Sequence, residues 1–203
     1  MLKTFRESLC AGILITIGGT VFLSCENKTA GAVLFSVALL CICYKGYYLF
    51  TGKIGYIVEQ HKKQDFLNLA VGLFGNLIAT FLLGMLLRTV LPNIGERAAE
   101  MCSAKLAQFP LYSFIRGFFC GILMYLAVSI YKEKNSVWGV LFCVPVFILC
   151  GFEHSIADMF YFGTSGIFDT KIIFFMALIV AGNTLGAMVL PLLKGVHTNE
   201  KQG

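Results

Sequence analysis

Charged side chains are scarce. Asp, Glu, Lys and Arg make up 13% of the 203 residues, against roughly 25% in an average soluble domain, and that shortage excludes a soluble globular chain. Histidine is rarer, with three in the sequence. His61 and His197 fall in polar flanks away from His154, so the three or four protein ligands of a metal site are not assembled, and neither metal nor any other cofactor is expected. The eight cysteines contain no CxxC pair. Cys10, Cys41, Cys43, Cys120, Cys143 and Cys150 sit inside apolar runs and read as small buried hydrophobes rather than disulfides or metal ligands. The net charge of +5 is spread over loops and helix ends, without the basic run that marks nucleic-acid binding. A cleavable signal peptide is not expected, because the apolar run after residues 2–6 lacks a small-residue cleavage site. Neither half carries the Asn-Pro-Ala signature of water channels, which disfavours a pore for neutral solutes.

What the chain has is apolar length. It is 58% hydrophobic with a mean hydropathy of +0.80. At about 20 residues per crossing, an all-α membrane protein of six transmembrane helices is expected. The predicted spans are 8–24, 30–58, 66–91, 111–131, 137–162 and 171–193. The second and fifth are interrupted, at 44–53 by Lys45, Gly46, Thr51, Gly52 and Lys53, and at 151–155 by Gly151, Glu153, His154 and Ser155. Irregular backbone at that depth is tolerated only where protein buries it or a watery path runs beside it.

The halves match weakly. Ala11-Gly12-Ile13-Leu14 answers Cys120-Gly121-Ile122-Leu123, and Gly75-Asn76 answers Gly182-Asn183. Three spans per half is an odd number, so the halves lie in the membrane with opposite orientation, and paired broken helices in an inverted 3+3 repeat point to a transport site near the midplane. One transmembrane transporter domain is therefore expected over 1–203: repeat one about 1–91, an outer polar connection about 92–110, repeat two about 111–194, and a polar tail 195–203. Lysine and arginine set the orientation. With the N-terminus inside, Lys3, Arg6, Lys62, Lys63, Lys132, Lys134, Lys194 and Lys201 are cytoplasmic and Lys28, Arg97, Lys105 and Lys171 are outside, an eight-to-four bias for both termini in the cytoplasm of a cell (inner) membrane protein.

Ionisable side chains inside the membrane mark functional sites by default. A buried His154 is expected to be neutral at neutral pH and to share or take up a proton when an anion arrives beside it. A weak monobasic acid can then cross an apolar constriction as a neutral species. Thr51, in the first break, reads as the counterpart of His154; its hydroxyl can orient either a substrate or the imidazole, or simply cap a half-helix. Glu153 reads as a buried acid tied to backbone N–H groups at the break, and Asp158, one turn on, as a cap of the following half-helix. Lys53 and Lys45 raise the positive potential near the first break, with Lys53 also able to snorkel to the interface. Lys105 can attract anions into an outer vestibule, or stand as a solvated loop lysine. An intramembrane enzyme that uses Glu153 and His154 as an acid–base pair is the alternative from a different class.

The run Gly151-Phe152-Glu153-His154-Ser155-Ile156-Ala157-Asp158-Met159-Phe160 resembles the fifth-helix signature of the formate/nitrite transporter family. Leu49-Phe50-Thr51 resembles that family's second-helix loop, Gly75-Asn76 and Gly182-Asn183 its paired Gly-Asn positions, and Lys105 its vestibule lysine. The resemblance implies an aquaporin-like protomer, a homopentamer in the lipid bilayer with one pore per protomer, and passage of small monovalent anions with proton coupling. Formate or nitrite comes first; hydrosulfide, acetate and lactate are the family's other substrates. Carried over by motif, His154 is the central histidine and Thr51 its partner. Leu49 and Phe50 belong to the loop at the cytoplasmic slit, and Phe35, Leu39 and Phe147 are slit linings. Asn76 and Asn183, with Glu153, anchor the loops. This chain departs from the pattern at Tyr48, at Gly121 and Asp158 where asparagines are usual, at the added cation Lys53, and in opening directly on the first span.

Overall fold

The computed structural model describes residues 1–59 and 61–195. Gln60 and residues 196–203, with His197, Lys201 and most of the expected polar tail, lie outside the described residues. The described chain is helical: α1 (Leu2–Ser24), α2 (Lys28–Lys45), α3 (Phe50–Lys53) running into a 3-10 segment Ile54–Val58, α4 (Lys63–Val90), α5 (Pro92–Leu106), α6 (Pro110–Lys134), α7 (Trp138–Leu149), α8 (Ser155–Ser165) and α9 (Lys171–Lys194). Five of these, α1, α2, α4, α6 and α9, are long and apolar enough to cross a bilayer. The sixth crossing is made by α7 and α8 in series, so the fold is the expected six-span arrangement with interrupted second and fifth helices.

Both interruptions have the same cause. α2 ends where Gly46 takes φ 69°, and α7 ends where Gly151 takes φ 68°, a left-handed backbone that costs any residue with a Cβ about 1–2 kcal/mol. The next residue then closes the same loop in each half: Tyr47 N–H donates to the Ile42 carbonyl at 3.1 Å, and Phe152 N–H to the Phe147 carbonyl at 2.9 Å. This closure satisfies end carbonyls that the stopped helix would leave bare. α7, at 12 residues, is roughly 18 Å long, a little over half of a ~30 Å hydrocarbon layer, so its C-terminal end falls near the bilayer's middle.

The polarity is inside-out relative to a soluble protein. Ile17, Leu34, Val37, Phe74, Leu82 and Phe142 are exposed, while Ser8, Ser36, Thr51, Asn76, Thr80, Glu153, His154, Asp158 and Asn183 are buried. Such a surface suits lipid or a neighbouring subunit, and the buried polar groups must find partners inside. α6 packs along α9 with no room for a side chain at Gly121: a Cβ there would abut the Asn183 carbonyl and come within 2.9 Å of the Ala187 nitrogen. The glycine in place of a helix-four asparagine is thus dictated by backbone contact.

Three sequence expectations change. Residues 92–106, expected as a polar connection, form helix α5, started by Pro92 and burying Ile94, Ala98 and Cys102 on one face. Arg97 of this helix donates to the Leu23 carbonyl at 2.7 Å, tying α5 to the end of α1. The second half of the second segment, expected as span to residue 58, is a single helical turn and a 3-10 segment. Of the six cysteines expected as buried hydrophobes only Cys120 is buried; Cys10, Cys41, Cys43 and Cys143 are half-buried and Cys150 is exposed, because the apolar runs that hold them also face outward.

Candidate functional site

The site is built by two asparagine clamps. Asn76 of α4 accepts the Phe50 N–H at 2.8 Å through Oδ1 and donates through Nδ2 to the carbonyls of Ser8 (2.8 Å) and Tyr48 (3.0 Å). Asn183 of α9 accepts the Ser155 N–H at 2.9 Å and donates to the carbonyls of Gly117 and Glu153, both at 2.8 Å. Each clamp joins a break, the helix opposite it and the first helix of its half. Every one of these groups would otherwise be a buried backbone orphan at about 1–3 kcal/mol each. The clamps also align the halves: residue 48 matches 153, 50 matches 155 and Gly46 matches Gly151.

In that alignment the partner of His154 is Leu49, which likewise stands at a helix N-cap, and the partner of Thr51 is Ile156. Thr51 is therefore the spatial neighbour of the histidine and not its symmetry mate. Thr51 Oγ1 lies 2.8 Å from His154 Nε2, and both residues are buried. The other ring nitrogen is occupied: His154 Nδ1 accepts the Ala157 N–H at 3.1 Å and caps α8. An Nδ1 that accepts has no proton in the neutral ring, so Nε2 carries it and donates to Thr51 Oγ1; the tautomer follows from this network. The Thr51 hydroxyl hydrogen is left free to point at a third group. A second proton on the imidazole would have to sit on Nδ1, facing the Ala157 N–H at the positive end of α8.

Phe147 stacks on the imidazole, with ring centroids 5.6 Å apart and planes at 20°, and Phe35 meets Phe147 edge-on at 6.4 Å. Phe35, Leu39, Leu49, Phe50 and Phe147 are all buried. Cavities approach this apolar plug from both sides. One of about 60 Å³ is lined by Leu39, Leu49, Gly52, Lys53 and Lys132. The other, about 810 Å³, reaches Ile148 and Gly151 at the fifth-helix break and is walled by Glu26, Arg97, Glu100 and Met101. His154 and Thr51 line neither cavity and are buried in the packing between the helices.

Lys53 lines the smaller vestibule and lies 5.7 Å from the Tyr48 ring centroid. Lys132, absent from the sequence candidates, joins it there, with its ammonium 3.8 Å from the Tyr56 ring centroid; at the end of α6 it reads as an ordinary helix-end cation. Lys105 is neither in a loop nor solvated. Its ammonium is held on α5 by Glu153 and, at 3.0 Å, by Asp158 Oδ1. Glu153 therefore anchors the break through its backbone carbonyl and spends its carboxylate on Lys105, while the α8 cap expected of Asp158 is made by His154. The nearness of Lys105 to the break depends on α5 folding back over α8, which motif spacing alone does not reveal.

A bundle of apolar crossings, interrupted twice and clamped around a buried His–Thr pair, is the architecture of a multi-pass membrane protein. The chain belongs to the formate/nitrite transporter family, whose model, "Formate/nitrite transporter", matches residues 1–194. It is 30% identical over 185 residues to the uncharacterized transporter YwcJ of Bacillus subtilis, covering 81% of this chain and 72% of that one. It is 25% identical over 187 residues to the formate channel FocA of Escherichia coli K12, covering 78% of this chain and 65% of that protein's length. Among solved structures, the backbone is similar to a pentameric formate channel with formate bound (TM-score 0.79, 24% identity, 95% of each chain). It is also similar to an FNT family ion channel (TM-score 0.78, 21% identity, 95% of this chain and 87% of that one). These likenesses show the fold.

Proposed function

We propose that the protein is a channel or proton-coupled transporter, not an enzyme, that passes small monovalent anions of weak acids, formate or nitrite first, across the cell membrane. The observation that carries this reading is the buried His154 Nε2–Thr51 Oγ1 contact of 2.8 Å, where the two interrupted helices meet. An anion entering from either side leaves water at the aromatic plug, where desolvating a full charge costs several kcal/mol. At that point it meets the free hydrogen of Thr51, whose oxygen is already polarised by the Nε2–H of His154. A carboxylate or nitrite oxygen accepts that hydrogen bond, and a proton that enters from the vestibule with the anion lets the species pass as its neutral acid, while the neutral imidazole keeps its Nε2 proton and orients the hydroxyl. Lys53 and Lys132 draw anions to the smaller vestibule, which we assign to the cytoplasm together with both termini. The exposed apolar flanks, together with the pentameric state of the structurally similar formate channel, support a homopentamer with one pore in each protomer.

Radiolabelled formate or nitrite uptake into proteoliposomes tests the reading. Uptake should saturate, increase with a proton gradient directed the same way as the anion, and collapse in His154→Ala. Equal uptake by wild type and His154→Ala would remove the imidazole from the mechanism.

A further inference from the structure

Around Lys105 the charges do not balance. One ammonium faces two carboxylates, those of Glu153 and Asp158, with side-chain exposures of 11% for the lysine and 2% for each acid. Two ionised acids on one cation leave a surplus negative charge where water does not reach to screen it. The hydrogen bonding is incomplete in the same place. Asp158 Oδ1 takes the lysine, but Asp158 Oδ2 is buried with no donor among the described residues. A bare carboxylate oxygen in the interior is destabilising, and two carboxyls this close do not both ionise easily. The Glu153 and Asp158 carboxyls share one ammonium as their partner, which brings the two acids to the same side of α5.

The ionisable groups acting on this cluster are Lys105 and Cys102 of α5, Cys120 of α6 and Tyr161 of α8. Lys105 is the sole cation among them, and its ammonium also lies 6.0 Å from the Tyr161 ring centroid. Among the described residues no second cation lies within 4 Å of either acid, and the ring nitrogens of the adjacent His154 are committed to Thr51 and Ala157, so a proton is the ligand that cancels the surplus.

We propose that Glu153 and Asp158 hold one shared proton over Lys105, forming a buried proton-binding site beside His154 whose occupancy decides whether an anion is tolerated at the fifth-helix break. With the proton bound, the cluster is neutral overall and the break accepts an anion. With the proton released, the cluster carries one negative charge next to the histidine and repels the substrate. Passage therefore persists at low pH and declines as pH rises and the shared proton is lost. The effect on flux rests on the transport reading above; the proton site does not.

The test uses the full chain in lipid nanodiscs and proteoliposomes. Infrared spectra of the wild type at neutral pH should show a protonated-carboxyl C=O band that shifts in heavy water and fades on alkalinisation. Asp158→Asn, which matches shape and leaves Lys105 and Glu153 as a balanced pair, should lack it, as should Glu153→Gln. Formate flux in the wild type should drop on the order of tenfold across that titration, the effect of one added charge at this range in a partly polar interior. In Asp158→Asn it should lose far less over the same pH interval. Absence of the band in the wild type, or its persistence in both variants, overturns the proton site. An identical pH profile in wild type and Asp158→Asn overturns its control of the pore. A wild type without formate flux at any pH would instead sink the transport reading, leaving the infrared spectra to decide the proton site.

Discussion

His154 has its two ring nitrogens committed to different tasks, one to the α8 cap and one to Thr51. Substitutions separate them. His154→Asn keeps a side-chain oxygen able to cap, so its thermal stability should stay near wild type, whereas His154→Ala should lose about 1 kcal/mol from the missing cap. Both should lose formate uptake by at least about tenfold, because neither supplies the polarising imidazole; paired melting curves and uptake rates check this. Thr51→Ser should keep most of the uptake, and Thr51→Val, similar in size but without the hydroxyl, should lose it. A Thr51→Val protein with wild-type uptake would mean that the hydroxyl hydrogen does not face the anion. At this scale the sequence picked out candidate residues more readily than the contacts they make. A histidine, a glutamate and an aspartate inside an apolar run stood out by rarity. That Nδ1 serves the backbone while both acids serve a lysine about fifty positions away depends on rotamers and on a helix packed from elsewhere in the chain.

At the scale of elements, the breaks are held by the asparagine clamps more than by local preference. Asn183→Leu removes three hydrogen bonds and strands the Ser155 N–H and the carbonyls of Gly117 and Glu153. A loss of several kcal/mol is expected, large enough to lower the yield of folded protein as well as its melting temperature in detergent. Gly151→Ala should act more mildly, by about 1–2 kcal/mol, through its left-handed backbone alone. The interruptions, the paired Gly-Asn positions and the long spans were legible because glycines, lysines and amides are conspicuous in hydrocarbon. Helix α5 was concealed by its polarity. Ile94, Ala98 and Cys102 recur at helical spacing on one face, but Glu96, Arg97 and Glu100 between them gave the stretch the look of a connection.

For the whole molecule, the proposed homopentamer is the expectation to test. Chemical cross-linking or native mass spectrometry in lipid should find five copies, and a monomer stable across detergents and lipids would contradict that. Cysteine burial was misread for the same reason that the assembly is expected: an apolar run in a membrane protein has no inward bias, so hydrophobicity does not say which side of a helix faces the core. Hydrogen exchange should divide the two approaches to the pore. The segment 47–58, a single helical turn followed by a 3-10 stretch, should exchange faster than 150–156.

The ionic contact from α5 to the broken fifth helix has a mechanical meaning. Prising that roof away would strip Lys105, Glu153 and Asp158 of their partners at once, so α5 is strapped firmly over the fifth-helix break. The narrow cavity beside Lys53 and Lys132 has no such ionic strap among the described residues, and yielding there would cost less.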